Sequence, residues 1–521
     1  MYRKDVGTKN EPVCTISGGA KKRVVMMVQS LSILRKMFVI VTAWFTSLYS
    51  SACALEMKSV SIPRNIGSRL ELFVDDWLIE TMSNTRLKMH TPVKKEVVFI
   101  FDAPWEGGLS AYVTIMIDQD HFRMYYRGGG DLSREYTCLA ESQDGIRWTR
   151  PSLGLFDFNG SKNNNIIWTG QKKAYWESHN FSPFKDTHPD TPSSERYKAV
   201  TLGRQVIDGE RQKVLLAFVS PDGINWRRLQ DEPIITEGSF DSHNTVFWDS
   251  ARQQYACYFR QGRDGKRSVR RSISNDFIHW SQPEWLDFGP SPLEHFYTNG
   301  IIAYFRAPHI YLGFPMRFVP ERTRVGVEER KTDGLSDAVF MSSRDGIRWD
   351  RTFMEAFIRP GLNEANWGGA HGNNTPAWGI IQTSDREISL YVSENYGNYP
   401  DGANRVPCLR RSVVRVDGFV SVNAPYDGGQ MLTKPLIFKG TQLTIDYSTS
   451  AVGSITVEIQ DQLGVAIPGF AFTDAIEIYG DEIERVVSWK HGNDVSQLAA
   501  RPICLRFVMK DADLYSIRLV R

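Results

Sequence analysis

Cysteine is scarce in this chain and poorly placed for a metal. Two of the six, Cys14 and Cys53, fall before residue 55. The other four, Cys138, Cys257, Cys408 and Cys504, are scattered, and none stands at CxxC spacing. A zinc site is therefore unsupported, and no metal or other cofactor is expected. An exported chain could form disulfides. At least three of these cysteines nevertheless read as small buried hydrophobes in strands.

An excess of either charge is also missing. The net charge is +2, from 62 basic and 60 acidic residues. Residues 1–54 hold eight of the basic residues and two of the acids, leaving 54 against 58, a net of −4. That balance gives no footprint for nucleic acid. Long hydrophobic runs are absent but for MFVIVTAWFTSL, Met37–Leu48, which is too short for a confident membrane span. It follows Lys21, Lys22, Arg23, Arg35 and Lys36 and precedes SSACA, with Ala52 and Ala54 in an A-x-A arrangement. This is the layout of a secretory signal cleaved after Ala54. Residues 1–54 are thus read as a leader, the mature chain as exported to the periplasm or beyond, with no stable span after cleavage. Cys53 suggests a lipoprotein route only weakly, because Ser50 stands where a Leu is expected.

What the chain does have is repetition. SQDGIRW begins at Ser142, SPDGINW at Ser220, SNDFIHW at Ser274 and SRDGIRW at Ser343. Each copy follows a β-like run such as YTCLAE or KVLLAFV. Asp-Gly is a hairpin signal, because Gly accepts positive φ and the Asp side chain accepts from nearby backbone N–H groups. The Trp that follows offers a large ring to bury. The box therefore reads as a structural hairpin with an anchor. Phe277 replaces Gly in the third copy, so a different turn type is expected there.

A second repeat lies upstream of the boxes: HNFSPF at His179, HNTVFW at His243, TNGIIAY at Thr298 and NNTPAW at Asn373. SAYVTIMI from Ser110 is comparable but has no Asn. Second strands follow, among them HFRMYYRG, QYACYFR, HIYLGF and ISLYVSENYG. The order is polar start, three strands, box, strand, which makes a four-stranded antiparallel blade. Five such blocks fit between Leu72 and Val422. The expected fold is all-β: a five-bladed β-propeller over residues 70–425, since propellers set such sheets radially around a channel. Residues 432–521 lack boxes and carry alternating runs such as QLTIDYS, SITVEIQD and ICLRFVMKD between glycine turns, so a C-terminal β-sandwich is expected.

Inner strands of a propeller line its funnel, so polar residues at their starts are the candidate site. The acids there are Glu106, Glu177, Asp241 and Glu294, with Asp75 and Asp76 just before the first block. Arg127, Arg260 and Arg306 stand near strand ends. Glycoside cleavage needs one carboxyl to protonate the leaving oxygen and a second to act as nucleophile or base. A third can tune the acid. Asp75, Asp76, Asp241 and Glu294 are the candidate catalytic carboxylates. Glu106, Arg127, His179, Asn180, His243, Asn244, Arg260, Asn299 and Asn374 are candidate binders of an oligo- or polysaccharide. His371 lies in a loop, WGGAHGNN.

This layout resembles the five-bladed propeller glycosidases, glycoside hydrolase families 32 and 43 and their relatives. Those enzymes also carry S-x-D-x-x-x-W-like hairpins, and some carry a C-terminal β-sandwich. The resemblance covers nearly all of residues 70–521. It implies an Asp in the first blade, an Asp further on and a Glu after that, an order met by Asp75 or Asp76, Asp241 and Glu294. WMNDPNG, RDP and EC-P motifs are absent. The resemblance thus implies an exported glycosidase. One alternative is a non-catalytic glycan-binding propeller. A sialidase-like enzyme ranks last, because it needs six blades, an arginine triad and a tyrosine nucleophile.

Overall fold

The computed structural model describes residues 62–131, 134–170, 175–323, 334–367, 373–397 and 406–520. The expected leader and His371 lie outside them. The regular structure described is β-strand with a few single-turn 3-10 helices. No helix among the described residues is long and apolar enough to cross a membrane.

Five antiparallel sheets follow one another along the chain. The first joins Ala111–Asp118, His121–Asp131, Arg134–Ser142 and Ile166–Trp168. The second joins Ser182–Lys185, Tyr197–Ile207, Glu210–Ser220 and Arg227–Arg228. The third joins Thr245–Asp249, Gln254–Arg263, Lys266–Ser274 and Glu284–Trp285. The fourth joins Ile302–Tyr304, Ala307–Gly313, Met341–Ser343 and Trp349–Asp350, beside a three-stranded extension of His295–Phe296, Met316–Val319 and Leu335–Ala338. The fifth takes Thr375–Pro376, Glu387–Glu394 and Cys408–Arg415. Its last strand comes from far upstream: Val93–Ile100 pairs with Cys408–Arg415. The missing fifth box thus has a physical reason, since no chain needs to turn back into an outer strand there.

Apolar clusters bridge consecutive sheets. Tyr125, Leu139, Phe181 and Tyr197 link the first and second. Phe184, Phe247, Tyr258 and Tyr311 run through the second, third and fourth. Leu312, Phe314, Leu390 and Val414 link the fourth and fifth. Met124, Tyr126, Tyr391 and Leu409 link the fifth back to the first. Strands within this stack are covered on both faces, so VLLAFVS at Val214–Ser220 is buried throughout without alternation. A cavity of about 410 Å3 draws its lining from one segment before or within each sheet, including Ile115, Phe184, Phe247, Ile302 and Trp378.

The boxes carry the same contacts in every copy. In the first, Asp144 Oδ1 accepts the N–H groups of Ile146 and Arg147 at 2.8 and 2.7 Å, and Trp148 Nε1 donates to Gly145 O at 3.1 Å. Asp222, Asp276 and Asp345 do the same. Tyr391 of the fifth sheet donates to Gly145 O at 2.7 Å, and Tyr258 of the third donates to Gly346 O at 3.1 Å. The third copy corrects one expectation. Phe277 has φ +67°, beside +71°, +76° and +80° at Gly145, Gly223 and Gly346, so its turn is the same. A bulky residue in the left-handed region is strained. Burial offsets that strain here: Phe277 is fully buried among Phe184, Tyr255 and Trp280.

The chain's end builds an eight-stranded sheet around two long strands, Gln442–Gln460 and Cys504–Val520. Three early strands, Leu70–Leu72, Ile79–Ser83 and Arg86–Met89, join it through Cys504–Val520, Gly429–Thr433 and Val420–Ala424 respectively. These strands fall within residues 70–425, expected as propeller; their partners are remote in sequence and no local pattern names them. The described cysteines, Cys138, Cys257, Cys408 and Cys504, are all free and buried.

Candidate functional site

Four of the five first strands begin with an unusual backbone. Tyr112, Asn180, Gly300 and Asn374 have φ of +54°, +59°, +56° and +55°. Gly and Asn tolerate this region; a tyrosine there is an outlier, and such strain persists where the surroundings over-determine it. Tyr112 is held by Arg127, whose guanidinium lies 4.6 Å from the ring centroid.

Arg127 is the hub of a polar cluster. Its Nη1 donates to Asn180 Oδ1 at 3.0 Å, and its Nη2 donates to Tyr396 Oη at 2.8 Å and to Leu109 O at 2.9 Å. Glu135, on the third strand of the first sheet, lies 3.4 Å from Arg127 and takes a 2.7 Å hydrogen bond from His179 Nδ1. The other ring nitrogen of His179 reaches Asp241 Oδ1 at 3.0 Å. Asp241 Oδ2 accepts from Lys213 at 3.3 Å and has Arg260 Nη2 at 3.8 Å. Arg260 in turn lies 4.7 Å from the Tyr297 ring centroid.

The electrostatics follow from this wiring. The hydrogen bond from His179, then the charges of His179, Arg260 and Lys213, hold the Asp241 carboxyl far below its ordinary range despite partial burial. Burial works against a charge on His179, but its bonds to Asp241 and Glu135 win and raise its pKa. Asp241 keeps 36% of its side chain exposed, against 6% for His179 and 4% for Glu135. The buried pair therefore presents one ionised carboxylate at an accessible point. Such a group can act as a base or nucleophile, or stabilise developing positive charge.

Five residues singled out from the sequence meet here: Asp241, His179, Asn180, Arg127 and Arg260. Others are spoken for elsewhere. Glu106 is buried, accepts from Tyr126 Oη at 2.5 Å and pairs with Arg150 at 2.8 Å. Glu177 is buried against Arg228. His243 meets Thr114 Oγ1 at 3.1 Å, and burial pushes its pKa down to about 3, so it is neutral. Asn244, Asn299 and Asn374 donate to backbone carbonyls: Asn244 to Phe240 O, Asn299 to His243 O and Tyr258 O, Asn374 to Ser336 O and Asn366 O. These three asparagines clamp strand starts.

Among the described contacts, nothing brings Asp75, Asp76 or Glu294 to Asp241. Asp75 is bound by Arg344 of the fourth box at 2.7 Å. Asp75 and Asp76 line a separate cleft of about 420 Å3 with Trp77, Asp350 and Lys434. Glu294 is held by Arg317 at 2.9 Å and Arg351 at 2.5 Å, beside a cavity of about 590 Å3 that also takes Asp337, Arg359 and Trp367. Arg306 pairs with the buried Asp417 at 3.1 Å. Sequence reasoning passed over Glu135, Lys213, Tyr112, Tyr297 and Tyr396. Tyr112 and Tyr297 had a usable signal, since they sit at or just before repeated strand starts. Glu135 and Lys213 sit on later strands, where nothing in the pattern marks them.

No family model and no curated protein matches the sequence. Solved structures similar to the chain include an N-acetylgalactosamine deacetylase from F. plautii in complex with blood group B trisaccharide, with TM-score 0.42, 12% identity, and 64% of this chain and 96% of that one covered. A Bombyx mori GH32 beta-fructofuranosidase has TM-score 0.41 and 10% identity, over 82% of this chain and 94% of that one. A thermostable family-43 glycoside hydrolase has TM-score 0.39 and 12% identity, over 61% and 94%. Both families named from the sequence are thus among the similar structures.

Proposed function

We propose that the protein is an exported glycoside hydrolase, a five-bladed β-propeller backed by a C-terminal β-sandwich, with Asp241 as its working carboxylate. Three features support the ring: the strand lent by Val93–Ile100, the apolar cluster joining the fifth sheet to the first, and the cavity lined from all five sheets. The leader-like sequence of residues 1–54 supports export.

The observation that carries the reading is the Glu135–His179–Asp241 chain at a strand start. It fixes an ionised, part-exposed carboxylate one residue before Ser242, which bonds Tyr297 O, and two before His243, whose ring meets Tyr112. Asp241 would then face the anomeric carbon, directly or through a water. Glu294 is proposed as the proton donor from its order along the chain, with no described contact joining it to Asp241. Its arginine partners, Arg317 and Arg351, must first be displaced by substrate. One observation favours sugar binding without cleavage as a second reading: the carboxylate wired to Asp241 is Glu135, which is buried and already paired with His179 and Arg127.

A hydrolysis screen over a glycan library, with the full-length protein and its Asp241→Asn and Glu294→Gln variants, tests this. Sugar release lost in both variants supports the pair. Release that survives Asp241→Asn sinks the assignment. Binding without release by the parent selects the second reading.

A further inference from the structure

Charge around Asp241 does not balance. Arg127, His179, Lys213 and Arg260 surround two acids, Glu135 and Asp241. Arg267 adds a further cation, 5.1 Å from the centroid of the same Tyr297 ring that Arg260 covers. Arg127 is fully engaged by Leu109, Asn180, Tyr396 and Glu135. Arg260 is not. Its side chain is 11% exposed and makes no hydrogen bond among the described residues. Nη2 faces Asp241 from 3.8 Å, and Nη1 is buried with no partner. Asn180 repeats the pattern. It is 1% exposed, its Oδ1 is taken by Arg127, and its Nδ2 is buried with no partner. Leaving a buried donor unmade is costly, and native structures leave few of them. Two orphaned donors thus sit on side chains that both touch the Arg127–Asp241 cluster.

We infer that the sugar seated beside Asp241 is anionic, its carboxylate or sulfate oxygens taken by Arg260 and Asn180 with Lys213 close by. The inference rests on the glycan reading of this site and names its substrate class. A guanidinium suits such a group because its planar fork pairs with two oxygens at once. The anion would take the Nη1 side of Arg260, away from Asp241. The charge of Asp241 is already met by His179 and Lys213.

The test is calorimetric titration of the full-length protein with matched probes: D-galactose, D-galacturonate and D-galactose 6-sulfate, then D-glucose and D-glucuronate. The expected result is at least about tenfold tighter binding of one anionic probe than of its neutral partner, a difference of about 1.4 kcal/mol. Arg260→Met should erase that preference, and Arg260→Lys should keep part of it. A circular-dichroism melt of each variant separates misfolding from lost recognition. If Arg260→Met unfolds, Asn180→Ala and Lys213→Met carry the test, each lowering the preference. Preference for the uronates or for the sulfate identifies the anion. Equal affinity for charged and neutral probes, no binding of any anionic probe, or a preference that survives in every folded variant overturns the inference. Cleavage confined to neutral glycans would overturn it while leaving the hydrolase reading intact. Arg260-dependent anion binding without any cleavage would do the reverse.

Discussion

Two repeats run through this molecule, and they differ in what they keep. The four boxes keep everything. Asp, turn, backbone contacts and Trp hydrogen bond recur in each copy, and even Phe277 conforms to the backbone that Gly takes elsewhere. The strand starts keep only a position and, in four sheets, a left-handed residue. Their side chains diverge into a strained tyrosine, two histidines with opposite pKa shifts, a carboxylate and backbone-clamping asparagines. A part repeated without change serves the architecture that is repeated. A repeated position whose occupants differ is free to do something once.

That contrast can be broken at several points. The largest stability effect belongs to a box anchor. Trp349 is 3% exposed and packs on Tyr258 and Tyr311. Trp349→Ala is expected to cost about 3–5 kcal/mol in denaturant unfolding, with the turnover of the folded fraction unchanged. A fall in turnover per folded molecule would erase the distinction.

The Asp241–His179 pair answers to pH instead. A lowered Asp241 pKa contributes stability that is present above the carboxyl's ordinary 3.8 and lost as pH falls through its folded value. A raised His179 pKa contributes stability that is present below the ordinary 6.5 and lost as pH rises through its folded value. The pair is therefore whole between 3.8 and 6.5 and weakens on the alkaline side first. Melting curves should show stability falling as pH climbs from 6.5 through the raised His179 pKa. His179→Gln should flatten that slope. An equal slope in the variant would place the titration elsewhere.

The smallest effect sits in the third box. Phe277→Ala and Phe277→Gly both remove the buried ring, but only glycine relieves φ +67°. The glycine variant should be the more stable of the two by about 1 kcal/mol, the reverse of their usual order in regular structure. If alanine is the better tolerated, the turn is not the strained one described.

Much of this was legible in the sequence because it was local. The boxes, their Trp anchors and the strand starts are patterns within a few residues, and His179, Asn180 and Asp241 were found by standing at them. Contacts set by distant pairing were not legible. Val93–Ile100 gives no sign that it completes the last sheet, nor Leu70–Leu72 that it pairs with the final strand. Asp75 and Glu294 fit an order along the chain, but order does not say which arginine waits opposite, and Arg344, Arg317 and Arg351 were waiting. Glu135 sits on a third strand, where an acid is ordinarily a solvated residue, and only the fold brings it under His179.

One chemical change made in both repeats tests the central claim: Asp241→Ala beside Asp222→Ala, each assayed for glycan turnover and for unfolding free energy. The account predicts that Asp241→Ala loses roughly 100- to 10,000-fold in turnover per folded molecule, beyond whatever stability goes with its lost bond to His179. It predicts that Asp222→Ala, which strands the N–H groups of Ile224 and Asn225, loses about 1–3 kcal/mol with turnover per folded molecule intact. Turnover lost in the Asp222 variant and kept in the Asp241 variant would contradict it.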